Sequence, residues 1–251
     1  MIFYFSATGN CKYVADRVAA ATGERCISVT ACMQTQQLAF VPAEGEAVGV
    51  VAPVYFGGLP SIVKEFLQRV QLGRPAYLWF AATYGTTSGQ AGHFAAEYLK
   101  KKGLALDARF SVKMPDTWTP MFDLSDKAKV QRINLAAEAQ IDELIRHIGR
   151  RDRGDFMRSK VPMFAVRLYH PHYDRVRRTA NLAVSDACVG CGLCARNCPA
   201  SAIELRGGKP VWVKEQCVMC LACLHHCPKF AIQCGGKTAG HGQYVHPPYK
   251  G

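Results

Sequence analysis

Apolar runs and helical stretches alternate over the first 150 residues. Residues 2–5 read as a strand, and Gly9-Asn10 then opens a helix over about 12–21. A second strand is expected at 26–30. The third, at 47–52, is apolar without a break, as suits a strand buried on both faces. Pro60 and Ser61 open a helix that runs to about Val70. Residues 76–82 form a fourth strand, 89–102 a helix stopped by Gly103, and 110–114 a fifth strand. A long helix over 126–148 carries Val130, Ile133, Ala137, Ile141, Leu144 and Ile148 at helical spacing. Strands and helices in strict alternation imply an α/β fold, a doubly wound parallel sheet with helices on both faces. Five strands suit the order 2-1-3-4-5.

The pattern changes after residue 150. Residues 151–185 hold Arg151, Arg153, Arg158, Lys160, Arg167, Arg175, Arg177 and Arg178 around Tyr169-His170-Pro171-His172-Tyr173. This stretch reads as a basic linker with a short helical piece. An internal repeat follows, with an offset of 29 residues: Cys188, Cys191, Cys194 and Cys198-Pro199 correspond to Cys217, Cys220, Cys223 and Cys227-Pro228. Each unit is too small to bury a core alone, so the two are expected to fold together around inorganic centres. The organisation is therefore a domain at 1–150, the linker at 151–185, a small α+β domain at 186–235, and a loosely ordered tail at 236–251.

Cys-x-x-Cys-x-x-Cys-x-x-x-Cys-Pro, twice over, is the ligand run of two 4Fe–4S clusters. Thiolates are soft ligands that suit such clusters, and the fourth cysteine of each run reaches the other cluster. Cluster 1 would take Cys188, Cys191, Cys194 and Cys227. Cluster 2 would take Cys217, Cys220, Cys223 and Cys198. Zinc sites use paired Cys-x-x-Cys knuckles instead of triple runs. Met219 and Leu221 are expected to shield cluster 2. Cys11, Cys26, Cys32 and Cys234 read as small buried residues.

Charge adds little that is specific. The chain of 251 residues has 31 basic and 19 acidic side chains, a formal +12. Two clusters and a phosphate would lower this to roughly +6. Acidic redox proteins are the expected partners, not nucleic acid, and the cysteine usage points to a reducing cytoplasm. No apolar run reaches membrane-spanning length.

Three loops at the ends of parallel strands gather candidate ligand-binding residues, where open α/β sheets bind ligands. Ser6, Thr8, Gly9, Asn10 and Cys11 lie between a strand and a helix N-terminus, a place for phosphate. Pro53, Val54, Tyr55, Phe56 and Gly57 follow the third strand, and Thr83, Tyr84 and Gly85 follow the fourth. Tyr55 or Tyr84 could cover an isoalloxazine face, so FMN is the expected ligand. The dinucleotide spacing Gly-x-Gly-x-x-Gly is missing from the glycine-containing loop at 85–92.

With Ile2-Phe3-Tyr4-Phe5-Ser6-Ala7-Thr8-Gly9-Asn10, the Thr83-Tyr84-Gly85 loop, Val112-Lys113-Met114-Pro115-Asp116 and both cysteine runs, the chain resembles the flavodoxin–ferredoxin fusion proteins. The resemblance implies a flavodoxin-like FMN domain joined to a bacterial-type two-cluster ferredoxin. It departs at Ala7 and Cys11, where such proteins commonly carry Gly and Ser or Thr. The function expected is electron transfer, with single electrons relayed between the clusters and FMN. The alternative is an FMN-dependent reductase of a quinone or similar substrate, with Tyr84 or His93 as proton donor. Trp118 is expected to pack on the helix after Asp126.

Overall fold

The computed structural model describes residues 1–249. Its main sheet contains β1 (Ile2–Tyr4), β2 (Cys26–Ser28), β3 (Ala47–Pro53), β4 (Tyr77–Tyr84), β5 (Ala108–Lys113) and β6 (Gly154–Phe156). The order is β2-β1-β3-β4-β5-β6, and every neighbouring pair is parallel. The expected order of five strands is present, extended at one edge by β6.

The two faces divide the strand residues by alternation. Val48, Val50, Ala52, Leu78 and Phe80 face α3 (Ser61–Arg69) and α4 (Ala91–Lys100), packing with Ile62, Val63, Phe66, Leu67, Ala95 and Leu99. Ala47, Val51, Tyr77, Trp79 and Ala81 face α1 (Asn10–Thr22) and α5 (Lys127–Arg150), packing with Val14, Val18, Ala137, Ile141 and Leu144. Each Val, Leu, Ile or Phe among them stabilises the fold by about 1.5–3 kcal/mol on full burial. Gly49 stands in the middle of β3 because the Trp79 ring lies across it. A Cβ there would come within 2.1 Å of that ring.

Local chemistry sets the element ends. Ser28 stops β2 early, because its hydroxyl accepts from the Ala31 N–H at 3.3 Å and caps α2 (Val29–Thr35). Asp126 caps α5 by accepting from the Lys129 N–H at 2.9 Å. Ile133 on α5 is only half-buried, while Val130 and Ala137 are buried.

The basic stretch at 151–185 is built into both domains. Its first part is β6, paired in register from Ala108↔Gly154 to Phe110↔Phe156. Two short helices follow, α6 (Met163–Tyr169) and α7 (His172–Val176). Then β7 (Leu182–Val184) pairs antiparallel with β10 (Ile232–Cys234), so it closes the small domain from before residue 186. Within that domain, β8 (Ile203–Arg206) and β9 (Lys209–Trp212) form a hairpin over Gly207-Gly208. Short helices α8 (Leu193–Arg196) and α9 (Ala222–His225) occupy matching places in the two repeats.

The repeat also holds in backbone conformation. Gly190 and Gly192 have φ of 68° and 74°, and their counterparts Met219 and Leu221 have φ of 53° and 57°. Left-handed backbone costs a residue with a Cβ about 1–2 kcal/mol. The second repeat carries that strain at two positions where the first uses glycine.

Residues 236–249 do not hang loose, contrary to expectation. They return to the first domain and pack across its opening loop. The His246 N–H donates to the Thr8 carbonyl at 2.7 Å, and the Tyr244 hydroxyl bridges the side chains of Asn10 and Asn134 at 2.8 and 3.0 Å. His225 and His226, just after the second thiol triplet, reach the carbonyls of Thr117 and Ala7, each at 2.9 Å. A loose tail is predicted from Gly, His and Pro content alone; these tertiary partners override it.

Candidate functional site

A cavity of about 340 Å³ opens at the carboxyl ends of β1, β3 and β4, within the size range of small-molecule sites. Ser6, Thr8, Asn10, Cys11, Pro53, Val54, Tyr55, Phe56, Gly57, Thr83, Tyr84 and Gly85 all line it. Gly9 does not. Its φ of 95° turns the chain into α1, and a Cβ there would strike Tyr249 and His246 of the returning tail.

Several of these side chains are committed within the protein. Asn10 donates from Nδ2 to the Pro115 carbonyl at 3.2 Å, and its Oδ1 meets the Tyr244 hydroxyl. The Cys11 thiol lies 3.0 Å from the Thr83 hydroxyl, joining the first and third loops. Burial pushes that thiol up to about 12, so it stays protonated. Tyr55 and Gly58 exchange main-chain hydrogen bonds of 3.0 and 2.9 Å around Phe56 and Gly57, whose φ values are 49° and 73°. This tight turn needs positive φ at both central residues. It presents the half-buried Phe56 ring to Tyr173 at 5.6 Å and Trp118 at 5.8 Å.

The cavity has walls the three loops do not account for. Asp116, Thr117, Trp118 and Met121 cover one side, Tyr169 and Tyr173 another, and Met219, Cys220 and Leu221 a third. Trp118 is therefore not a packing residue on α5. It faces the cavity and packs with the small domain's apolar core. The Asp116 carboxylate accepts from the Trp118 N–H and the Thr86 hydroxyl, both at 3.1 Å, and desolvation raises its pKa. His93 lies outside the cavity, on α4 beside Glu97 at 3.4 Å.

These residues fit FMN. Hydroxyls and main-chain N–H groups stand at the start of α1 for a phosphate, and aromatic walls stand where an apolar ring would lie. Tyr169 offers a further sign of fit: its hydroxyl is buried without a hydrogen-bond partner. That hydroxyl sits where a Cβ on Gly57 would be, within 2.1 Å of it. FMN, when bound, supplies two-electron storage at this place.

The cysteines of the repeats gather in two sets. Cys198, Cys217, Cys220 and Cys223 line one concavity, and Cys188, Cys191, Cys194 and Cys227 line a second. Among the described residues no three metal-ligating side chains converge on a single-ion site; the thiols surround wider spaces. Main-chain N–H groups already point at them: Ala202 to Cys198 at 3.3 Å, Met219 to Cys217 at 3.2 Å and Ala231 to Cys227 at 3.3 Å. Such bonds to sulfur tune cluster potentials. Cys26, Cys32 and Cys234 line neither concavity.

Comparison with known proteins agrees with this division. The flavodoxin domain family matches residues 1–143, and the 4Fe-4S dicluster domain matches residues 181–228. No curated protein matches. Among solved structures, the chain is similar to the rubredoxin oxygen:oxidoreductase of Desulfovibrio gigas, at 20% identity and a TM-score of 0.35, over 57% of this chain and 35% of that one. The chain thus spans about a third of that protein's length. A flavodoxin from the domain Archaea aligns at 15% identity and a TM-score of 0.32, over 58% of this chain and 98% of that one. A flavoprotein from Bacteroides eggerthii aligns at 16% identity and a TM-score of 0.28, over 55% and 96%. With the family model matched over more than half of the chain and a 4Fe-4S dicluster domain behind it, the chain belongs to the flavodoxin domain family and is an iron–sulfur flavoprotein.

Proposed function

We propose that this chain relays single electrons between a protein partner and FMN through two 4Fe–4S clusters. Cys188, Cys191, Cys194 and Cys227 hold the outer cluster, and Cys198, Cys217, Cys220 and Cys223 the inner one. The observation that carries this reading is the position of Cys220. It lines both the flavin cavity and the inner thiol concavity, as do Met219 and Leu221. The inner set therefore shares a wall with the flavin site, at the short range electron transfer requires.

The outer set is the one open to a partner. Cys191 is exposed, and Val189 and Leu205 beside it are 61% and 43% exposed. Exposed Lys229 lines this rim, and exposed Arg196 donates to the Cys191 carbonyl at 2.9 Å. Apolar contact ringed by cations favours an acidic redox protein. Of the two donors expected for a reductase, Tyr84 lines the cavity and His93 does not. The wall shared with the inner thiol set, at Cys220, ranks relay above reduction of a quinone-like substrate.

An anaerobic absorbance spectrum, with iron, sulfide and flavin counted on one sample, tests the parts. About eight irons and one FMN per chain are expected. Cys191→Ser should slow flavin reduction by a low-potential protein donor, and an unchanged rate would refute the relay.

A further inference from the structure

We propose that Met219 and Leu221 are flavin-site residues, so that the inner ferredoxin loop completes the FMN site and flavin binding depends on it. The inference rests on the FMN and cluster assignments above, and extends them to a wall that lies outside the flavodoxin-matched residues.

The argument begins with the repeat. At the positions of Gly190 and Gly192 the second unit has Met219 and Leu221, on the same left-handed backbone. Glycine adopts that conformation freely, whereas a side chain strains it. Strain of this kind persists where surrounding structure holds it, and it gathers at functional sites. In the first unit the space is closed: a Cβ on Gly190 would come within 2.6 Å of the Gly208 carbonyl oxygen. In the second unit the two side chains point into a different place. Both are 3% exposed, and both line the flavin cavity as well as the inner thiol concavity.

The loop is also fastened to the flavin side of the molecule. The Tyr173 hydroxyl donates to the Val218 carbonyl at 2.7 Å, and the Tyr173 ring stacks on Phe56 of the second flavin loop. The Arg177 Nε donates to the Cys217 carbonyl at 2.7 Å. Residues 217–221 are thus held on one side by the thiol set and on the other by the flavin cavity. A loop that each ligand orders in the same position couples the two, and by linkage that coupling is reciprocal.

The test uses the full chain with its clusters. Met219→Gly and Leu221→Gly restore the residue found at each matching position of the first repeat. For each variant, iron per chain is counted, and FMN affinity is read from quenching of flavin fluorescence on titration into flavin-stripped protein. Iron content is expected to stay at the wild-type value while FMN binds at least tenfold more weakly. Retained iron with FMN affinity within twofold of wild type would overturn the proposal. A second measurement needs no variant: FMN should slow the release of half of the wild-type iron to a chelator, and equal release with and without FMN would also overturn it. The two levels separate cleanly. A wild-type protein that takes up no FMN refutes the flavin assignment itself, whereas wild-type FMN binding matched by both glycine variants refutes only the role of this wall.

Discussion

Tyr173→Phe is the sharpest test of how the two domains are joined. The Tyr173 hydroxyl is buried and carries two bonds: it donates to the Val218 carbonyl at 2.7 Å and accepts from the Ser61 N–H at 3.3 Å. Burial pushes the phenol up to about 12, so it is protonated at any working pH. Ser61 is the first residue of α3, whose Pro60 cap offers no side-chain bond, so this hydroxyl is what caps that helix. Phenylalanine keeps the ring on Phe56 and removes only the oxygen. Two main-chain groups then lose their partner, at about 1–3 kcal/mol for each one left unsatisfied. The Ser61 bond is long and at a partly buried end, so a total of about 2 kcal/mol is expected. In a chain of this size that lowers the thermal midpoint by roughly 4–8 °C. Anaerobic thermal unfolding, followed by circular dichroism on samples of equal iron and flavin content, measures it. A drop under 1 °C would refute the view that this one hydroxyl ties the cluster loop to the flavin domain.

Other expectations follow from single contacts. Gly49→Ala places a methyl against Trp79 in the centre of the sheet; a loss of about 3 kcal/mol or failure to fold is expected, read as soluble yield and urea midpoint. Tyr169→Phe removes a hydroxyl with no protein partner, so the flavin-free protein should be no less stable, while FMN binds about three- to tenfold more weakly in a fluorescence titration. His246 stacks on Tyr13 and packs near Tyr244 and Tyr249, and burial lowers its pKa to about 4 against the opposing pull of Glu138. A base held neutral by the fold charges more readily when released. Its stabilisation is therefore full above about pH 6.5 and lost as pH falls towards 4. The protection factor of the His246 amide, which donates to the Thr8 carbonyl, should fall across that window; flat protection would refute the assignment.

What the sequence revealed and what it concealed have a common physical basis. Continuous apolar runs made β3 and β4 readable, because a strand buried on both faces needs no tertiary partner to announce it. The eight cysteines of the two repeats were readable as candidate cluster ligands because ligand spacing is a local constraint. β6 was not: Gly-Asp-Phe between arginines has no strand signal, and only the edge of β5 makes it one. Trp118 read as a packing residue on the helix after Asp126, and its place on the cavity shows only once the small domain packs against it. Met219 and Leu221 were legible as a shield for the inner thiols, but their second face, on the flavin cavity, depends on how the domains dock. The fate of Asn10 was hidden for the same reason, since its amide is claimed by residues more than 100 positions away.

The returning tail has a mechanical consequence. A domain joined to its neighbour by one connector can swing on it, as on a hinge. Here the ferredoxin unit is attached twice, through α6 and α7 at its beginning and through the residues around Tyr244 and His246 at its end. If one attachment opens, the other keeps the freed face at high effective concentration, so it recloses before the domain can travel. The ferredoxin unit is thus held in place at both ends, and under the relay proposed above a carrier would have to come to the Cys191 rim, because the rim cannot swing out to meet it.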